Sequence, residues 1–141
     1  MGKTVERVKM WNIFDEEKIE KGEMEPLEVE AQIDNGATAG VVLTPAIARE
    51  LHLKTLRKTR VRYADVRVAE RDVVGGLVIE ILGRVEQCTA IVEPKRTTVL
   101  VGQFILEILD LWIDSKNGKL HPNPESPDMP LIDELRYSLL I

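Results

Sequence analysis

Leu27-Glu28-Val29-Glu30-Ala31-Gln32-Ile33 alternates apolar and polar positions, the period of a strand with one buried face. It runs directly into Asp34-Asn35-Gly36, and Val41-Val42-Leu43 then predicts a short buried strand. Upstream, residues 4–14 mix apolar and charged positions and predict a first strand ending at Phe14-Asp15. The charged stretch from Glu16 to Glu25, with Gly22 inside it, predicts a turn or exposed loop. Thr44-Pro45 is a helix start, with Thr44 as N-cap, Pro45 at the first helical position, and Ile47 and Leu51 on one face of a short helix. From Arg60 to Ile91 strands return at Val61/Tyr63, Val73–Leu82 and Val85–Val92, punctuated by Gly75-Gly76 and Gly83. Val99-Leu100-Val101 leads into Gly102, after which Phe104, Ile105 and Ile108 recur at helical spacing. Leu111-Trp112-Ile113 and Leu120 flank Asn117-Gly118, a hairpin-turn signal. Prolines crowd between Pro122 and Pro130 and predict an extended arm, followed by a helical turn or two over Leu131–Leu139 that packs back on the body. The pattern holds no repeat and predicts one all-β, barrel-like domain over residues 1–141, with one or two short helices.

Composition narrows that picture. Aromatic residues are only 4% of the chain, so the core rests on Val, Leu and Ile, and the β-branched residues favour strands. A net charge of −5 argues against a nucleic-acid-binding domain. The single cysteine, Cys88, cannot close an internal disulfide, which fits a reducing compartment. The first residues lack the apolar stretch of a signal peptide, and no apolar run nears the roughly 18 residues of a membrane span. A cytoplasmic protein with no membrane partner is therefore expected. His52 and His121 stand far apart and no Cys or His has metal-ligand spacing, so neither metal nor other cofactor is expected. Trp11 and Trp112 read as core or interface anchors.

Candidate chemistry gathers at Asp34-Asn35-Gly36-Ala37-Thr38. An apolar strand ending in Asp, a small turn with Gly, then another apolar strand is what a pair of aspartates needs if they are to share a proton and activate water. Taken alone, Asn-Gly between strands reads first as a plain hairpin turn. The surroundings add weight. Strand, Asp-x-Gly-Ala-Thr, strand, Thr-Pro and short helix, over Leu27–Leu53, resemble the first half of the single-lobe retropepsin-like aspartic proteases of bacteria and archaea. Val99-Leu100-Val101-Gly102 with the helix through Leu109, and then Leu120-His121-Pro122-Asn123-Pro124, are similar to the second half of that family. The resemblance covers about residues 26–131.

It implies a closed β-barrel of the acid protease type, with a core over about 26–122 and a proline-rich arm over 122–141. It also implies an endopeptidase acting on a peptide or protein. Because the chain carries one such motif, the resemblance implies a homodimer in which each subunit contributes Asp34 as the catalytic residue. Asn35, Gly36, Ala37 and Thr38 would form the active-site loop, and Leu100, Val101 and Gly102 would support it. Tyr63-Ala64-Asp65-Val66-Arg67 corresponds to the tip of the hairpin, the flap, that closes over substrate. The chain departs from the family in two places. Asn35 stands where Thr or Ser bridges the two loops, which keeps open an inactive peptide-binding module on the same fold. Val66 stands in the usual glycine place, although Val disfavours positive φ. Lys54, Arg57, Lys58, Arg60, Arg62, Arg67 and Arg71 form a basic stretch near this flap, read first as the solvated face of a strand and second as a bias towards acidic peptides.

Overall fold

A computed structural model of the chain describes residues 4–132. Among the described residues nine strands form, β1 (Thr4–Asn12), β2 (Leu27–Asp34), β3 (Val41–Leu43), β4 (Lys54–Arg62), β5 (Val68–Ile81), β6 (Arg84–Val92), β7 (Val99–Gly102), β8 (Leu111–Asp114) and β9 (Lys119–Pro122). Three short helices join them, α1 (Glu16–Glu20), α2 (Pro45–Glu50) and α3 (Gln103–Leu109), with a 3-10 turn over Ile13–Asp15 ahead of α1. The sheet runs β1-β2-β7-β3-β6-β5-β4, and β1 also pairs with β5, so six strands close into a barrel and β4 hangs outside the ring. The all-β barrel expected from the sequence is present.

Alternation explains why the ring closes around these residues. Along β2, Ala31 and Ile33 point inward, while Glu28 and Glu30 stay in solvent. Val8, Met10, Leu43, Leu77, Ile79, Val99 and Val101 join them in a core of aliphatic side chains that excludes solvent almost completely. At about 25 cal/mol per Å² of apolar surface removed from water, such side chains dominate the stability of a core with few aromatics. The core also reaches back beyond residues 26–122, because Val8 and Met10 of β1 are fully buried and β1 is the strand that closes the ring.

Two further details differ from the sequence reading. The stretch from Glu16 is not simply a loop. Asn12, buried, accepts the Phe14 N–H through Oδ1 and donates through Nδ2 to the carbonyls of Leu51 and His52, and the 3-10 turn and α1 follow from that anchor. Strand β5 begins at Val68, well before Val73, and pairs with β4 along an arm exposed to water on both faces. Thr44 caps α2 by accepting the Ile47 N–H, as its sequence predicts. The Asn117-Gly118 turn joins β8 to β9, with Gly118 at φ 65°. Of the two tryptophans, Trp11 is core and donates to Glu16, whereas Trp112 is half exposed. The helical turns expected from Leu131 to Leu139 fall almost wholly outside the described residues. No described helix is long and apolar enough to cross a membrane.

Candidate active site

Asp34 is the last residue of β2, and its position is set by β7. Strand β7 runs parallel to β2, with Asp34 opposite Gly102, and antiparallel to β3, with Val42 opposite Leu100. It therefore lies between the two strands that carry the Asp34 loop. The loop is tied down by its own backbone. The Gly102 N–H donates to the Gly40 carbonyl at 2.7 Å, the Gln103 N–H to the Ala37 carbonyl at 2.8 Å, and the Ala37 N–H to the Asp34 carbonyl at 3.2 Å. Asp34 Oδ1 accepts the Gly36 N–H at 2.9 Å, which fixes the carboxylate by one oxygen.

Two glycines fit here for reasons of space. A Cβ on Gly102 would stand 2.0 Å from the Ala39 carbonyl oxygen and 2.9 Å from that of Ala37. A Cβ on Gly36 would meet Asp34 Oδ1 at 3.2 Å, and Gly36 does not have a left-handed backbone. Close approach to the carboxylate, and not an unusual turn conformation, is what Gly36 provides.

Asn35 and Gly36 sit exposed at the crest of the loop. Asp34 and Asn35 line an open depression of about 750 Å³ together with Gln32, Ile113 and Lys116. A smaller recess on the other side of Asn35 is walled by Gln103, Leu106 and Trp112. The β8–β9 turn beside Asp34 was legible in the sequence only as a turn, and nothing in its spacing pointed to the site. Exposed Phe104 and Trp112 leave a large apolar area close to the loop.

Tyr63, Ala64, Asp65 and Val66 also come together, as the tip of the β4–β5 hairpin. The Tyr63 N–H donates to the Arg67 carbonyl at 2.9 Å, and the Val66 N–H to that of Tyr63 at 2.9 Å. None of these residues lines the depression that holds Asp34. The hairpin is fastened instead to the loop after β6. Tyr63 Oη donates to Glu93, the Arg71 guanidinium donates to Glu93 at 2.7 Å and to Tyr63 Oη at 2.9 Å, and Arg67 lies 4.3 Å from the centre of the Tyr63 ring. Burial, and then the Glu93 carboxylate, push the Tyr63 hydroxyl above its ordinary titration range, so it remains a neutral donor. Sequence reasoning missed Glu93, which read alone is an ordinary surface charge, and placed Arg71 only within the basic stretch.

Val66 adopts φ 62° at 77% exposure. A left-handed backbone costs a β-branched residue about 1 kcal/mol, and no buried contact offsets it. Val66→Asn is expected to raise stability by about that amount, and the melting temperature by about 3 °C. An unchanged or lower melting temperature in a thermal unfolding scan would remove strain from the account of this tip.

Cys88 is inert. Burial, helped by Glu86, pushes its thiol up to about 12. His52 is exposed and ends α2 with φ 54°, which fits a surface residue closing a helix. Among the described residues, no three His, Cys, Asp or Glu gather as a metal site. Compared with protein-family models and with curated proteins, the chain matches none.

Proposed function

We propose that the chain is an aspartic endopeptidase of the retropepsin-like kind, active as a homodimer around a pair of Asp34 carboxylates. One observation carries the reading. Strand β7 threads between β2 and β3, and its Gly102 packs against the backbone of the loop that presents Asp34. A simple hairpin turn at Asn35-Gly36 would need no third strand between its arms. The exposed crest, flanked by Trp112 and Phe104, suits an isologous contact in which each copy covers the other's apolar area.

In the proposed dimer, one ionised carboxylate takes a proton from a water held between the pair as the water oxygen adds to the peptide carbonyl carbon. The other carboxyl, protonated, gives its proton to the carbonyl oxygen. The resulting diol collapses, its carbon–nitrogen bond breaks, and the amine leaves with a proton from the first carboxyl, while a diol hydroxyl returns a proton to the second. A cytoplasmic setting is part of the same proposal. The second reading, a module that grips an extended peptide without cutting it, is favoured by Asn35. Asn can donate and accept across the dimer, but it is longer than the Thr it replaces and can push the carboxylates apart.

The test is cleavage of an unfolded protein between about pH 4 and 7, comparing wild type, Asp34→Asn and Asn35→Thr, with pepstatin as inhibitor control. Wild type is expected to cut and Asp34→Asn to fall to background. Equal cutting by both ends the protease reading. Cutting by Asn35→Thr alone transfers the assignment to the peptide-binding module. A strict monomer in sedimentation equilibrium removes the dyad altogether.

A further inference from the structure

From the geometry of β4 we infer that the groove behind the flap is a distal substrate subsite for a carboxylate side chain, with Arg57 as its specificity-determining residue. The inference rests on the reading of Asp34 as the catalytic centre. Residues opposite one another on neighbouring strands share a face of the sheet, and the register can be followed strand by strand. Gln32 is opposite Leu100, Leu100 opposite Val42, Val42 opposite Ile91, Ile91 opposite Val73, and Val73 opposite Arg57. Asp34 lies two residues beyond Gln32 on β2, so Asp34 and Arg57 belong to the same outer face. Five strand spacings separate their strands, about 24 Å along the curved sheet, the length of roughly seven residues of extended peptide.

A groove of about 280 Å³ occupies the far part of this face. Val73, Ile91, Thr59, Thr89 and Phe104 are among the residues that line it, and Arg57 is the one charged residue there. Three other cations, Lys58, Arg71 and Arg96, are engaged elsewhere. Lys58 pairs with Asp72 at 2.6 Å, Arg71 with Glu93 at 2.7 Å, and Arg96 donates to the Thr98 carbonyl at 2.6 Å. Arg57 has no ion-pair partner among the described residues. The chain as a whole carries −5, so a groove whose one charged lining residue is a cation is a local reversal of charge.

The strand is also shaped to place that cation. Thr55 is opposite Val74 and Arg57 opposite Val73, which leaves Leu56 as the extra residue of a bulge. In a regular ladder Leu56 would face the groove, and Arg57 would turn to the opposite face beside Asp72. The bulge reverses this, which is a recurrent use of such irregularities. Gly75 makes room for it, since a Cβ there would stand 2.6 Å from Leu56 Cδ1. Arg60 and Lys58, by contrast, face away and meet Glu70 and Asp72 across the ladder. An extended peptide that crosses Asp34 and bears a glutamate roughly four to seven residues from the cleaved bond would bring its carboxylate to Arg57.

The test uses the full chain carrying Asp34→Asn, so that no peptide turns over, and fluorescein-labelled alanine-valine decapeptides with Glu, Gln or Lys walked through each position. Anisotropy titrations are expected to show one or two adjacent positions where Glu binds about fivefold tighter than Gln, the range of a solvent-accessible ion pair. Adding Arg57→Gln should bring that ratio to one, and Arg57→Glu should make Lys the preferred residue. Arg60→Glu changes the charge of the same strand on its other face and should leave the ratio in place. A ratio of one at every position, no binding by any Glu peptide, or equal loss with Arg60→Glu overturns the inference. Wild-type cleavage without the preference removes the subsite alone. An Arg57-dependent preference without Asp34-dependent cleavage removes the endopeptidase and leaves a peptide-binding groove.

Discussion

Gly102→Ala is expected to destabilise the protein by about 4 kcal/mol and to abolish any cleavage along with the fold of the Asp34 loop. The new Cβ would sit 2.0 Å from the Ala39 carbonyl oxygen, far inside van der Waals contact, and the clashing atom is backbone. A side chain could rotate away; a loop held by three strands cannot. Overpacking of a tight site costs about 1–3 kcal/mol by itself. Here relief also breaks the bonds from Gly102 N–H to Gly40 and from Gln103 N–H to Ala37, each worth about 1 kcal/mol. Against a total stability of roughly 5–15 kcal/mol, this is a large fraction.

Gly36→Ala is the companion measurement. Its Cβ meets only Asp34 Oδ1, at 3.2 Å, and the backbone there is open to any residue. It should cost less than about 1 kcal/mol while displacing the carboxylate. Urea unfolding of both variants separates the two glycines. Equal midpoints for Gly102→Ala and wild type would mean that β7 does not fix the loop.

Much of the barrel was legible because its strands have one wet and one dry face. β2 is the clearest example, and Thr44-Pro45 was sufficient to start α2 because capping is a local interaction. The outer part of β5 was not legible. Val68 to Asp72 lies in an arm with water on both sides, so no alternation marks it. The 3-10 turn ahead of α1 is capped by buried Asn12, which also reaches carbonyls about forty residues away, a contact no local pattern contains. The candidate site divides along the same line. Asp34, Gly36 and Gly102 stand out in the sequence through a resemblance of motifs, whereas the Leu56 bulge, the Glu93 latch and the recess beside Trp112 arise from register and from packing between distant segments.

Arg84 is the sharpest case of a residue whose importance is invisible in the sequence, and Arg84→Met is expected to cost about 3 kcal/mol. It follows Gly83 at a turn and reads as an exposed charge, yet it is only 6% exposed. Its guanidinium donates to the carbonyls of Leu109 at 2.9 Å and Asp110 at 3.0 Å, which end α3, and to the Ser126 carbonyl in the proline-rich arm. Methionine fills comparable space but leaves those three acceptors without their charged donor; at about 1.5 kcal/mol for each bond, less the cost of burying a guanidinium that methionine avoids, about 3 kcal/mol is lost. The same arm is gripped from the other side by Asp110, which accepts from Ser126 Oγ, from Asn123 Nδ2 at 3.1 Å and from the Leu131 N–H at 3.1 Å. The Ser126 hydroxyl first, then Leu131, Asn123 and the Arg84 charge, hold the Asp110 carboxyl below the usual carboxylate range. Because its value is lower when folded, the carboxylate contributes stability at neutral pH, and that contribution is lost as pH falls through the folded value. Removing Arg84 takes away the one charge that helps depress it, so the arm should loosen at a higher pH than in wild type. Limited proteolysis across residues 122–132, followed from about pH 6 to 3, reads this directly. Wild type should resist nicking to lower pH than Arg84→Met. Identical nicking profiles, or urea midpoints that coincide at neutral pH, would show that the arm is held by packing and not by the Arg84–Asp110 clasp.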